Sequence, residues 1–285
     1  MNKLLKIINN FNELVMFKHS IFSLPFIFIA MVVASNGWFG WYLLVIGTIA
    51  ALSVRNFAMG FNRYLDRDID GLNPRTLNRP SVDGRVSVTQ MQIFTIANAI
   101  IFIIVAYFVN TLAFYLSVPI LLIIASYSYF KRFSYLAHII LGISLGLAPV
   151  AGVVAVSETI TLWSIFLAIG VMFWVSGFDL LYSLQDMEVD KKLGLHSIPS
   201  KFGSEKTMKF SKILHIFTII FWFLFVISAN LGLLAYLAVI VSAIMLAYEH
   251  IIVSRDFTKI DKAFFTINGY LGIIFLIFII LDNIF

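Results

Sequence analysis

Residues 39–70 read F-G-W-Y-L-L-V-I-G-T-I-A-A-L-S-V-R-N-F-A-M-G-F-N-R-Y-L-D-R-D-I-D. The segment is almost wholly apolar for the length a bilayer core requires, about 20 residues. Then Asn62, Asp66 and Asp70 recur at intervals of four. Side chains at that spacing share one helix face. A second apolar run ends the same way, in Y-S-L-Q-D-M-E-V-D over 182–190, with Asp186 and Asp190 again four apart. Two acidic pairs, each at the edge of a membrane-length run, need a reason to be there.

Composition fixes the class around these motifs. The chain has 285 residues, 61% hydrophobic and 12% charged, with mean hydropathy +0.97. Soluble domains carry roughly 25% charged residues, so this is an all-α integral membrane protein. No cysteine is present, which excludes thiol catalysis, disulfides and zinc thiolates. The start is broken by Asn9, Asn10, Asn12 and Glu13 and does not read as a signal peptide. Leu4, Leu5, Ile8, Phe11, Leu14 and Val15 repeat at helical spacing. Residues 1–19 are therefore expected to form an amphipathic helix on the membrane surface.

Nine apolar runs follow, at roughly 20–36, 39–59, 91–109, 112–129, 136–156, 160–183, 212–229, 231–249 and 264–282. Nine spans with a cytoplasmic N-terminus and an outside C-terminus leave 1–19, 60–90, 130–135, 184–211 and 250–263 in the cytoplasm. All 20 Lys and Arg then fall on that side, with Arg55 and Lys212 at adjoining helix ends. Cationic residues favour the cytoplasmic side of a membrane, and here the bias is complete. The net charge of +5 follows from this topology and does not indicate a nucleic-acid partner. Only 60–90 and 184–211 are long, and each begins with an acidic motif. Asp66 and Asp186 stand 120 positions apart, as do Asp70 and Asp190, and both motifs run on into basic residues, a glycine and a proline. This pattern suggests a weak internal repeat.

Paired carboxylates beside a bilayer suit Mg²⁺ carrying a diphosphate. A prenyl diphosphate combines several negative charges with an apolar tail that belongs in lipid. Its leaving group must be neutralised before the allylic C–O bond can ionise, which metal ions and basic side chains achieve. Arg63, Arg67, Lys131, Arg132 and Lys191 are the basic candidates. The allylic cation needs a dry pocket with electron-rich walls, for which Phe61, Tyr64, Tyr127, Tyr129, Phe178 and Tyr182 lie at the right level. Asp179 sits seven residues before Asp186, deeper in the membrane, where an acid is a functional candidate by default. Arg55 and Asn56 are further polar groups one or two turns inside. Loop acids can also be plain salt-bridge partners, Asp179 a packing contact, and Arg55 and Asn56 interface anchors. His138, His215 and His250 lack metal spacing and read as interface residues, and His196 as structural.

The segments N-R-Y-L-D-R-D-I-D-G-L-N-P-R-T-L-N-R-P (62–80) and Y-S-L-Q-D-M-E-V-D-K-K-L-G-L-H-S-I-P (182–199) resemble the two signatures of the UbiA superfamily of intramembrane prenyltransferases. Y-S-Y-F-K-R-F (127–133) and G-L-A-P-V-A-G (146–152) extend the likeness, which is strongest to the bacterial 4-hydroxybenzoate polyprenyltransferase branch. The resemblance implies one domain over 1–285: a nine-helix bundle around a central cavity, capped by both loops and open to lipid. It implies Mg²⁺ and diphosphate on Asn62, Asp66, Asp70, Asp186 and Asp190, with Lys131 and Arg132 touching diphosphate or acceptor. It also implies a polyprenyl diphosphate, an aromatic acid acceptor such as 4-hydroxybenzoate, a role in ubiquinone or menaquinone synthesis, and residence in the bacterial inner membrane. The chain departs from many relatives at Arg63, where they have Asp, and at Lys18-His19, where benzoate-using relatives have Arg-Pro. Prenylation of haem or of a dihydroxynaphthoate is an alternative within the family. An ion-coupled transporter is the alternative of another class, but its acids would lie near the midplane on broken helices. A non-catalytic scaffold leaves both motifs unexplained.

Overall fold

In lipid a backbone must satisfy its own hydrogen bonds, so long apolar runs become helices. The computed structural model describes residues 3–16, 22 and 24–284. Lys18, His19 and Phe285, on which sequence expectations fell, lie outside the described residues. The order is α1 (Lys3–Leu14), α2 (Leu24–Ser35), α3 (Trp41–Asp70), α4 (Val88–Val109), α5 (Thr111–Phe130), α6 (Ala137–Ser157), α7 (Leu162–Ser183), α8 (Met187–Leu193), α9 (Ile198–Ser228), α10 (Leu233–Arg255), α11 (Ile260–Lys262) and α12 (Asn268–Asp282). A 3₁₀ turn, Leu184–Asp186, joins α7 to α8, and a π-helical stretch, Ala263–Ile267, joins α11 to α12. No strand occurs among the described residues.

Eight helices among the described residues are long and apolar enough to cross a membrane. The ninth expected span is represented by α2, apolar but only 12 residues long, about 18 Å at 1.5 Å per residue. The structure also corrects the extent of the two expected loops. Residues 60–70 are not loop: α3 runs unbroken through Asp70, because no proline interrupts it and its polar end finds partners. The loop proper is 71–87. The second region, 184–211, is mostly helical, made of the 3₁₀ turn, α8 and the start of α9. Gly194 (φ +67°) ends α8 and Gly203 (φ +77°) kinks α9, each in the left-handed region that suits glycine.

The largest core cluster joins α2, α7, α9, α10 and α12 around Trp174, Trp222, Phe26, Phe225 and Phe275, all fully buried. Between membrane helices, close van der Waals contact of small residues does much of the work. Gly142 on α6 is such a contact: an added Cβ would overlap Ser176 Oγ and the Met172 carbonyl of α7. The same approach lets Ser176 Oγ donate to the His138 carbonyl at 3.1 Å and brings α6 side chains against Asp179. At the opposite end of the bundle, Asp282 caps the start of α10 by accepting from the amides of Gly232 (2.7 Å), Leu234 (3.0 Å) and Ala235 (3.2 Å).

In the first half of α1, Leu5, Ile7 and Ile8 are exposed. Toward its end, Leu14 is buried with Val86 and Met91, and Phe11 stacks on Phe94 with ring centroids 4.8 Å apart. Glu13 receives Arg85 Nη1 at 2.6 Å and Nη2 at 2.8 Å, tying α1 to the loop after α3.

Candidate active site

The end of α3 presents Asn62, Asp66 and Asp70 on one face, and nearly every charge there is matched. Asp66 is 2% exposed. Its Oδ2 accepts from Asn62 Nδ2 at 2.7 Å and lies 2.6 Å from Lys131 Nζ. Its Oδ1 is buried without a hydrogen-bond partner among the described residues, with Arg132 Nη2 3.9 Å away. Asp70 is 5% exposed and receives Arg79 Nη1 at 2.7 Å on both oxygens. Arg63 Nη1 stands 3.9 Å from the same carboxylate.

The loop after α3 carries the first motif across to the second. Thr76 Oγ1 donates to the Asp70 carbonyl at 2.7 Å, and Asn73 Oδ1 accepts from the Arg75 amide at 3.0 Å, folding the loop back. Asn73 Nδ2 then donates to Asp186 Oδ1 at 2.8 Å. Arg75 grips both oxygens of Asp186, with Nε 2.9 Å from Oδ1, while its Nη1 donates to Tyr182 OH at 3.0 Å. Burial lowers the affinity of Arg75 for its proton, but the Asp186 hydrogen bonds and charge prevail and hold it above its ordinary range. On the far side, the His196 amide donates to the Lys131 carbonyl at 2.8 Å, and Lys131 is close enough for its charge to act on Asp190. Lys131 thus stands between the two motifs.

A cavity of about 280 Å³ opens beneath this charged layer. It is lined by α2 through α7 and by Phe22 and Phe264, almost entirely with apolar side chains. Its four polar residues are Arg55, Tyr127, Ser144 and Asp179. Arg55 donates Nη2 to the Met16 carbonyl at 2.7 Å, while its Nη1 is buried without a partner among the described residues. Tyr127 lies within electrostatic reach of Asp66, Arg63 and Asp179. Asp179 Oδ2 accepts from His138 Nδ1 at 2.7 Å.

Other expected site residues are placed elsewhere. Arg67 lies over the Tyr64 ring, 4.6 Å from its centroid, and donates to the Tyr64 carbonyl instead of reaching a motif carboxylate. Arg132 pairs chiefly with Asp68, at 2.8 and 3.0 Å. Lys191 is exposed. Arg63 is buried and directs Nε to the Leu14 carbonyl at the end of α1, 3.3 Å away. Asn56 donates to Asn98 Oδ1 on α4 at 3.2 Å. Tyr129 is 45% exposed and is absent from the cavity wall, where Tyr127 stands. Tyr182 serves Arg75. The histidines are not interface residues: His138 is buried against Asp179, and His215 and His250 are buried and paired at 3.0 Å. Sequence reasoning gave no site role to Asn73, Arg75, Arg79 or His138. Arg75 and Arg79 could have been found as the cations following the first motif, but nothing in the sequence pointed to His138.

No three His, Asp or Glu side chains among the described residues converge as a cage for an ion. Mg²⁺ does not require one: it binds through one or two carboxylates, waters and substrate phosphates. The donors here are all oxygen, the set Mg²⁺ prefers, and Asp66 Oδ1 lacks a hydrogen bond. Asp66, with Asn62 hydrogen-bonded beside it, therefore fits such an ion.

A multi-helix bundle with two acidic motifs over an apolar cavity is the architecture of an intramembrane protein. The chain belongs to the UbiA prenyltransferase family, matched over residues 23–278. It is 32% identical over 174 residues to a 4-hydroxybenzoate octaprenyltransferase of Herminiimonas arsenicoxydans, a match spanning 61% of each chain. It is 31% identical over 219 residues to one of Enterobacter sp. (strain 638), covering 75% of this chain and 73% of that protein. Among solved structures, a UbiA homolog from Aeropyrum pernix K1 is similar at TM-score 0.84 and 30% identity, over 93% of this chain and 98% of that one. A UbiA homolog from Archaeoglobus fulgidus bound to GPP and Mg²⁺ shares the fold, at TM-score 0.78 and 20% identity, over 97% of this chain and 100% of that one.

Proposed function

We propose that this protein is a Mg²⁺-dependent prenyltransferase. It moves a polyprenyl group from its diphosphate to a ring carbon of a hydroxylated aromatic acid of the 4-hydroxybenzoate kind, in quinone biosynthesis. One observation carries the reading. The apolar cavity ends, within about two helical turns of both acidic motifs, at Arg55, Tyr127 and Asp179. An anionic head, an apolar tail and a small polar acceptor each have a matching place. The names of the relatives and the GPP and Mg²⁺ bound to the Archaeoglobus homolog support the same reaction.

Mg²⁺ held by Asn62, Asp66, Asp70, Asp186 and Asp190 would supply positive charge to the departing diphosphate. Lys131, Arg75 and Arg79 would exchange carboxylate partners for diphosphate oxygens, with Arg63 and Arg132 nearby and Arg67 and Lys191 farther out. Tyr127 and Phe178 would face the allylic cation with their ring electrons, and the apolar wall would keep water from it. Asp66 and Asp186 would orient the head group, and Arg55 the acceptor carboxylate. The whole of 1–285 acts as one domain, with nine spans in a bacterial cytoplasmic membrane. Both motifs and the N-terminus face the cytoplasm, the C-terminus lies outside, and α1 rests on the surface.

The test is purified protein with Mg²⁺ and radiolabelled prenyl diphosphate, offered 4-hydroxybenzoate, dihydroxynaphthoates and haem B in turn. A C-prenylated 4-hydroxybenzoate is expected. Product only on a naphthoate or on haem would move the acceptor class, and no transfer to any of the three would overturn the reading.

A further inference from the structure

We infer that Arg63 is a positioning residue that ties the Asn62–Asp66 pair to the end of α1, so that docking of α1 and binding of metal and diphosphate favour one another. The inference rests on the metal–diphosphate reading above and deepens it. Arg63 lies inside the acidic motif and is 5% exposed. A buried guanidinium needs acceptors for its N–H groups, and Arg63 finds them on two elements at once. At the end of α1, Nε donates to the Leu14 carbonyl at 3.3 Å and Nη2 meets Met16 Sδ at 3.1 Å. On α3, Nη1 donates to Asn62 Oδ1 at 3.4 Å and stands 3.9 Å from Asp70 Oδ2.

These bonds follow one another in a fixed sense. Arginine only donates, whereas an amide side chain has one end that accepts and one that donates. With its oxygen toward Arg63, Asn62 presents Nδ2 to Asp66 Oδ2 at 2.7 Å and to Ser128 Oγ at 3.4 Å. Asp66 is thereby oriented with Oδ1, which has no hydrogen bond from a described residue, as the oxygen left for an ion. The last carbonyls of a helix lack intrahelical partners and carry the negative end of its dipole, so the Leu14 carbonyl suits a guanidinium. An alkyl side chain at 63 could not donate, and the Asn62 amide would lose the contact that sets which way it faces.

The far end of this relay is a lightly held element. Residues 5–9 of α1 are exposed, and its contacts with the bundle gather at Phe11, Glu13 and Leu14. An element with few buried contacts opens more readily than the packed core. Coupling between two sites is reciprocal. If docked α1 holds Asn62 and Asp66 in the arrangement an ion needs, then a bound ion and diphosphate must in turn hold α1 down.

The experiment uses purified full-length protein in lipid nanodiscs, with Mg²⁺ and geranyl diphosphate as probes and no acceptor. Two quantities are read: the Mg²⁺ dissociation constant in the presence of geranyl diphosphate, and amide exchange over residues 11–16. In the wild type the two probes together are expected to slow that exchange by about fivefold or more. Arg63→Met is expected to weaken Mg²⁺ binding by about 10–100-fold, the range for a lost support of a metal ligand, and to abolish the effect of the probes on α1. Arg63→Lys keeps the charge but lacks the fork that reaches Leu14 and Asn62 together, and should be as impaired as Arg63→Met. Wild-type protein that fails to bind Mg²⁺ with geranyl diphosphate overturns the underlying reading and this inference with it. Binding that leaves α1 exchange unchanged overturns the inference alone, and that outcome needs no variant. Wild-type Mg²⁺ affinity in Arg63→Met, protection of α1 that persists in it, or full recovery in Arg63→Lys each overturns the positioning role.

Discussion

Lys131 Nζ stands 2.6 Å from Asp66 Oδ2, joining the residue that caps the end of α5 to a carboxylate that is 2% exposed. The pair spans 65 residues of sequence and closes the charged layer above the cavity. A buried carboxylate with no cation is costly, so whatever displaces Lys131 must bring positive charge of its own. That couples the pair to metal. Lys131→Met should lower thermal stability in detergent by about 1.5–3 kcal/mol, the worth of a hydrogen bond to a charged group. Mg²⁺ should stabilise this variant more than the wild type. Equal responses to Mg²⁺ would show that the carboxylate does not take the ion. Asp66→Ala and Asp186→Ala should abolish transfer with the protein still folded, and wild-type turnover in either at saturating Mg²⁺ would remove these acids from the site.

Arg75 fastens the loop after α3 to Asp186. Its removal frees two elements at once. Arg75→Ala should speed amide hydrogen exchange across 72–79 by roughly tenfold, the equivalent of about 1.4 kcal/mol and within the range for one charge-assisted bond. It should also raise the KM for prenyl diphosphate. Unchanged exchange would mean that the loop is held by Asn73 and Thr76 alone.

Arg55 brings to the cavity an Nη1 without a partner among the described residues. Arg55→Met should raise the acceptor KM about tenfold or more, consistent with a lost bond to a carboxylate of about 1.5–3 kcal/mol, with a smaller effect on prenyl diphosphate. Because Arg55 also holds the Met16 carbonyl at 2.7 Å, helicity of α1 is the control. An effect confined to the diphosphate takes Arg55 out of the acceptor site.

Single cysteines report topology cleanly in a chain with none of its own. Leu77 is 46% exposed, Lys206 is exposed, and Leu233 is 73% exposed. Cysteines at 77 and 206 should label from the cytoplasmic side and one at 233 from the opposite side, because the cations gather with the first two. Labelling of 77 and 206 from opposite faces would break the span count.

The membrane bundle and the two acidic motifs were legible in the chain because both are local properties. A run near 20 apolar residues has few options other than a helix in lipid, and Asp66 and Asp70 share a face by helical spacing alone. The same local signal misplaced the end of α3. Hydropathy falls after residue 59, yet the helix continues to Asp70, because Lys131 and Arg79 neutralise its carboxylates from other segments. Contacts of that kind depend on which helices become neighbours. Arg75 reaches Asp186 across 111 residues, and His138 reaches Asp179 across 41. His138 lies in no acidic or basic cluster of the sequence; only the close approach at Gly142 brings its ring to the carboxylate. Periodicity and length therefore determined what spans the membrane and where charge enters it. Tertiary packing decided which cation answers which acid, and set His138 behind the one acid on the cavity wall, Asp179.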